Sequence, residues 1–236
     1  MLRVFEDIDA LSAAAARDIA TAMTTAVRTR RRCAVALSGG NTPITLYRLL
    51  ATEYLDQIPW PQVHVFWTDE RYVPPDDARS NYGMARETLL DHVACPPTNI
   101  HPMPTHFVDA NVAASEYEAI LRVFFSEGVA RFDVSILGIG PDAHTASLFP
   151  GSVALNATQW VASILAPTDP PERVTLTPPA LTSAAHSHVL VAGTQKADAL
   201  RRALHSDDVQ RFPAAFLRHS RGAVTWWTDR AAHGAV

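Results

Sequence analysis

A chain of 236 residues with 47% hydrophobic content can bury one large core and falls within the size of one α/β domain. Its formal net charge of -4 speaks against a polyanion-binding surface, because nucleic-acid binding draws most of its affinity from clustered Lys and Arg. Two cysteines, Cys33 and Cys95, are too few for a disulfide framework, and no stretch approaches the roughly eighteen uninterrupted apolar residues of a membrane span.

Leu11, Ala14, Ala15, Ile19, Ala22, Met23 and Val27 recur at helical spacing, which predicts a helix over Ile8 to Ala26 capped by Asp7 or Asp9. The basic run Arg28, Arg30, Arg31 and Arg32 then reads as the solvated end of that helix, where cations complement the carbonyl terminus. Cys33 to Leu37 (CAVAL) is a continuous apolar run that stops at Ser38, Gly39 and Gly40, as a buried parallel strand entering a loop would. Thr42 as N-cap and Pro43 at the first position predict the next helix. Further strands are expected at Val63 to Trp67, Phe132 to Leu137, Trp160 to Leu165, Arg173 to Leu176, Ser187 to Val191 and Ala223 to Trp227. Helices are expected at Asn81 to Val93, Glu116 to Phe125 and Lys196 to Leu204. Such alternation implies an α/β fold over residues 1–236 as a single domain, with room for a minor lobe: a mainly parallel open sheet with helices on both faces, Rossmann-like. In such sheets ligands bind beyond the carboxyl ends of the strands, so the loops after strands carry the functional reading.

Three loops stand out. Ser38-Gly39-Gly40-Asn41-Thr42-Pro43 pairs glycines with a helix start, which suits a phosphate or a plain strand-to-helix turn. Thr68-Asp69-Glu70-Arg71 concentrates charge at the end of a buried strand, where it must pair internally, as Asp69 with Arg71, or serve a ligand. Gly138-Ile139-Gly140-Pro141-Asp142-Ala143-His144-Thr145 sets an aspartate two positions before a histidine, with Thr145 as cap of a short helix containing Ser147. A histidine so placed is a natural general base. Neither Ser38 nor Ser147 has the context of a nucleophile, so water is the expected one. The other histidines show no spacing that joins them to carboxylates as metal ligands, and no metal site is expected.

The segments ALSGGNTP, FWTDERYVPPDDARSNYGMARETLL and DVSILGIGPDAHTASLFPG, followed by RVTLTPPAL and VLVAGTQKADAL, resemble the 6-phosphogluconolactonase family of the oxidative pentose phosphate pathway, from about Asp7 to Trp227. The resemblance implies the glucosamine-6-phosphate deaminase-like fold and cofactor-free, metal-independent hydrolysis of a sugar phosphate lactone in the cytoplasm, with no nucleic acid or membrane partner. It implies that His144 activates water, that Asp142 orients the base or the sugar hydroxyls, and that Arg71, positioned by Asp69, stabilises the oxyanion. The phosphate falls to Ser38, Gly39, Gly40, Asn41 and Thr42 and to Lys196, with Arg218 and His219 as weaker candidates. One departure matters. The turn reads PDAHT where the family has PDGHT, so Ala143 is strained if the position needs a positive φ. Related deaminases resemble this chain but carry a glutamate where Phe149 stands, and a phenyl ring cannot move a proton. A non-catalytic sugar-phosphate sensor would add a helix-turn-helix module, for which the chain has no spare length.

Overall fold

A computed structural model describes residues 1–126 and 128–234. The strands in chain order are β1 (Leu2–Phe5), β2 (Cys33–Leu37), β3 (Val63–Trp67), β4 (Asp69–Arg71), β5 (Val134–Gly138), β6 (Val161–Leu165), β7 (Glu172–Leu176), β8 (His186–Val191) and β9 (Ala223–Asp229). The helices are α1 (Ile8–Arg30), α2 (Ile44–Thr52), α3 (Asn81–Thr88), α4 (Ala110–Phe124), α5 (Pro178–Leu181), α6 (Ala197–His205) and α7 (Arg230–His233).

Six strands form one parallel sheet in the order β1-β9-β8-β5-β2-β3. The central strands β2 and β5 are buried almost throughout, as strands covered on both faces must be. The chain runs from β2 to β3 on one side and later sets β5 against the other side of β2, so a crevice opens between the loops leaving β2 and β5. The expected mainly parallel α/β arrangement is therefore present. The segments expected as strands near residues 160–176 are strands too, but they leave the main sheet. With β4 they make an antiparallel sheet in the order β4-β7-β6. Glu118 of α4 anchors it, its Oε2 accepting the backbone N–H groups of Trp160 (3.0 Å) and Val161 (3.1 Å).

Helix α1 begins where expected, with the Asp7 carboxylate accepting the N–H of Ala10 at 2.8 Å. It runs on to Arg30, past the expected end at Ala26, and closes with Arg31 in the left-handed region at φ 62°. The basic run is the solvent-exposed end of this helix, as expected, with two contacts back to the fold. Arg30 pairs with Asp133, whose other oxygen accepts the N–H of Ala34 at 2.8 Å, and Arg32 lies 4.3 Å over the Phe124 ring. Helix α2 starts at Ile44 with Pro43 as cap residue and no side-chain cap; Thr42 is not the N-cap. Helix α3 stops at Thr88 and gives way to a 3-10 turn at Leu90–His92. The core is one continuous cluster whose largest fully buried side chains include Trp60, Trp67, Trp227, Tyr47 and Tyr117.

Candidate active site

The crevice between the β2 and β5 loops is a cleft of about 270 Å³. Ser38, Gly39, Gly40, Asn41, Thr42, Asp69, Arg71, His144 and Lys196 all line it. Asp142 does not, and lies behind His144 in a neighbouring groove.

The glycine loop is pinned from below by Tyr47, whose hydroxyl accepts the Ser38 N–H (3.0 Å) and donates to the Ser38 carbonyl (2.8 Å). Gly39 is required because a Cβ there would fall 1.7 Å from the Asn81 Oδ1. Gly40 takes φ +83°, the left-handed region that only glycine enters freely. No side chain caps α2; its first N–H, that of Ile44, donates to the Asn41 carbonyl at 3.3 Å, and the helix begins directly after the cleft-lining Thr42 and Pro43. Lys196, at the start of α6, brings its Nζ to 3.5 Å from the Thr42 hydroxyl, so the two expected phosphate elements meet. Burial lowers the Lys196 ammonium below its ordinary pKa, against the opposing charge of Asp229. Asp229 also fixes the preceding loop by accepting the Gly193 N–H at 3.0 Å.

His144 Nδ1 lies 2.5 Å from Asp142 Oδ1, which also accepts the His144 backbone N–H at 3.2 Å. Burial works to raise the Asp142 carboxyl, but the hydrogen bond and charge of His144 outweigh it and hold the acid below its usual value. The imidazole leans on Phe149, with ring centroids 4.3 Å apart. Ala143 does take the positive φ that the sequence raised as a question, 63°, and is fully buried. The expected short helix after Thr145 does not form. Thr145 instead donates its hydroxyl to the Gly138 carbonyl at 2.9 Å, and the chain turns back through Ala146 at φ 49°.

Asp69 and Arg71 form no ion pair, which overturns the internal pairing considered for this loop. Asp69 accepts the Ser147 hydroxyl at 2.6 Å, while Arg71 donates to the Arg79 carbonyl at 2.6 Å. The Arg71 Nε and the Ser38 Oγ are buried without a protein partner, as ligand-facing groups are. Glu70 points away from the cleft: it accepts from the backbone N–H groups of Arg71, Asn81 and Tyr82, each at 2.7 Å, and from the Ser80 hydroxyl at 3.1 Å.

Arg173 also lines the cleft, directly opposite Arg71 in the β4–β7 ladder and only 5% exposed. Burial, and then the charge of Arg71, lowers its pKa. In the sequence Arg173 to Leu176 reads as a strand and RVTLTPPAL as part of the family resemblance, with no site role for Arg173, although a cation leading an apolar strand is costly to bury and is itself a signal. Asn81, read as part of a helix start, sits against Gly39 and donates to the Asp69 carbonyl at 2.8 Å. Arg218, by contrast, is tied to Asp207 at 2.7 Å and lines a separate surface hollow with Met1 and Trp226. Among the described residues no three His, Cys, Asp or Glu side chains converge as metal ligands would.

The fold and cleft define an α/β protein with a cationic crevice at the switch point of a parallel sheet and a carboxylate-held histidine on its wall. A family model described as glucosamine-6-phosphate isomerases/6-phosphogluconolactonase matches residues 6–226. The chain is 40% identical over 222 residues to the 6-phosphogluconolactonase of Mycobacterium leprae, covering 91% of this chain and 90% of that one. It is 39% identical to that of Mycobacterium tuberculosis, covering 98% and 96%. The solved 6-phosphogluconolactonase from Trypanosoma cruzi superposes with a TM-score of 0.88 at 31% identity, over 100% of this chain and 96% of that one. The chain belongs to the glucosamine-6-phosphate isomerase/6-phosphogluconolactonase family. A monomeric glucosamine-6-phosphate deaminase shares the fold, with a TM-score of 0.84 at 21% identity.

Proposed function

We propose that this protein hydrolyses 6-phospho-D-glucono-1,5-lactone to 6-phospho-D-gluconate, with water as nucleophile and His144 as general base. The observation that carries the reading is the 2.5 Å contact between His144 Nδ1 and Asp142 on the wall of a cleft that also holds Arg71, Arg173 and Lys196. An Nδ1–H engaged by a carboxylate leaves Nε2 as the free lone pair. Nε2 takes a proton from water as the oxygen attacks the C1 carbonyl, and Arg71 offsets the charge on the tetrahedral oxyanion. Collapse breaks the bond between C1 and the ring oxygen, and the imidazolium returns its proton to that leaving oxygen. The product is the open acid with its hydroxyl restored.

Lys196 and the loop Ser38 to Thr42 hold the phosphate, Lys196 as a point charge, Ser38 through its hydroxyl, and the rest of the loop through its N–H groups. With three cations lining the cleft, the charge stabilisation is assigned to side chains, and a chelator is expected to leave the rate unchanged. The two buried free thiols, Cys33 and Cys95, suit a reducing compartment, in keeping with a cytoplasmic enzyme.

A deaminase or isomerase reading is disfavoured by Phe149, since the ring packed on His144 has no proton to move. Freshly generated lactone, coupled to 6-phosphogluconate dehydrogenase and NADP with spontaneous opening subtracted, tests the activity. His144→Ala is expected to lower kcat by about 10²- to 10⁴-fold while 6-phosphogluconate still binds. Equal rates in variant and parent would remove His144 from the role. No parental rate above background would turn attention to amino sugar phosphates.

A further inference from the structure

We infer that Ser147 is a positioning residue: its hydroxyl holds the Asp69 carboxylate away from Arg71 and Arg173, leaving both cations for the substrate. This rests on the reading of the cleft above. Ser147 is 1% exposed and follows His144 by three positions. Its Oγ donates to Asp69 Oδ2 at 2.6 Å, and its backbone N–H donates to the Thr175 hydroxyl at 3.2 Å. Thr175 is the β7 partner of Asp69 in the antiparallel ladder. One residue thus joins the His144 turn to both strands that carry the arginines, β4 and β7. The turn behind it is closed by bonds from Gly140 N to the His144 carbonyl (2.9 Å) and from Leu148 N to the Thr145 carbonyl (3.0 Å). The Ser147 backbone is thereby held in the same turn as His144.

The electrostatics explain why a hydroxyl is needed there. Asp69 is 7% exposed, and its other close side-chain donor among the described residues is the Thr68 hydroxyl at 3.4 Å. A buried carboxylate without a donor seeks a cation. Arg71 flanks Asp69 in β4, Arg173 faces Arg71 across the ladder, and neither pairs with Asp69. Removing the hydroxyl lets Asp69 swing onto one of them and neutralise it. The same bond excludes Ser147 as a nucleophile, because its proton is committed to an aspartate rather than to His144.

The test is a double-variant cycle of Ser147→Ala and Asp69→Asn, read by lactone kinetics, by 6-phosphogluconate binding in a calorimeter and by thermal melting. Ser147→Ala is expected to weaken 6-phosphogluconate binding and raise KM by roughly tenfold, the value of one charged hydrogen bond, with the melting temperature little changed. Asp69→Asn added to Ser147→Ala should cost nothing further in binding, because no carboxylate is left to capture an arginine. Losses that multiply in the double variant, or a Ser147→Ala protein that binds like the parent, would overturn the inference. Should Ser147→Ala fail to fold, Ser147→Cys keeps the shape with a weaker donor and must show an intermediate loss; parental binding overturns the inference there too. The binding arm needs no turnover, so a parent without lactonase activity would defeat the functional proposal and still leave this one decided.

Discussion

Around His144 the decisive residues have almost no side chain. A Cβ on Gly140 would lie 2.1 Å from His144 Cε1, 2.2 Å from Nδ1 and 2.7 Å from Asp142 Oδ1, so the imidazole occupies the space that the glycine leaves. Gly140→Ala is expected to push the ring off Asp142 and cost about a hundredfold in kcat/KM, since small misplacements of a catalytic group carry losses of that order. Steady-state kinetics beside a melting curve checks it: an active variant would mean that the ring tolerates displacement. Ala143, in the same turn, bears about 1–2 kcal/mol for its left-handed backbone. Its buried methyl returns about 0.8 kcal/mol, and a glycine there would add about 0.5–1 kcal/mol of chain entropy to folding. These opposing amounts are close, which explains how alanine is tolerated at a position with φ 63°.

At the scale of elements, the junction of β4 with α3 aims Asp69, Arg71 and Asn81 into the cleft. Glu70 holds that junction: its carboxylate takes two of the first N–H groups of α3 and the Arg71 N–H. Burial pushes Glu70 up to about 7, although four donors address its charged form. Glutamine cannot replace it, because in either orientation the amide NH₂ meets a backbone N–H, that of Asn81 and Arg71 or that of Tyr82. Glu70→Gln should cost about 1–3 kcal/mol of stability in urea unfolding at pH 8. It should also lower activity, because Arg71 moves with the junction; a variant as stable as the parent would show that the cap is dispensable. The pairing of β4 with β7 brings Arg173 opposite Arg71, a contact between segments about a hundred residues apart.

For the molecule as a whole, acid lability follows from its buried imidazoles. Burial is the main cause in each case: it takes His188 from 6.5 down to about 3, with the charges of His186 and Arg3 adding, and His101 to about 4, with His64 adding. Folded values below unfolded ones mean that these two imidazoles bind protons more readily in the unfolded chain, so the stability they contribute falls as pH drops below 6.5. The loss continues to about 4 for His101 and about 3 for His188. His188 should contribute about 1.4 kcal/mol per pH unit, the partly exposed His101 less. Glu70, raised to about 7, acts in the opposite direction over the upper part of this range, so the check is the comparison of parent with His188→Gln in urea midpoints between about pH 7 and 4: the parent should lose more on acidification, and equal slopes would refute it. The strand–helix alternation and the three loops at strand ends were legible in the sequence, because apolar runs, glycines and charges act on near neighbours. So were His144 with Asp142, two positions apart, and the glycine loop after β2. Strand β1, four residues long and half exposed, left too weak a pattern to read. The separate antiparallel sheet, Arg173 beside Arg71 and the Ser147–Asp69 bond were decided only by the tertiary structure. Which strand takes which edge, and which buried donor meets which carboxylate, depends on competition among distant partners that no local spacing records.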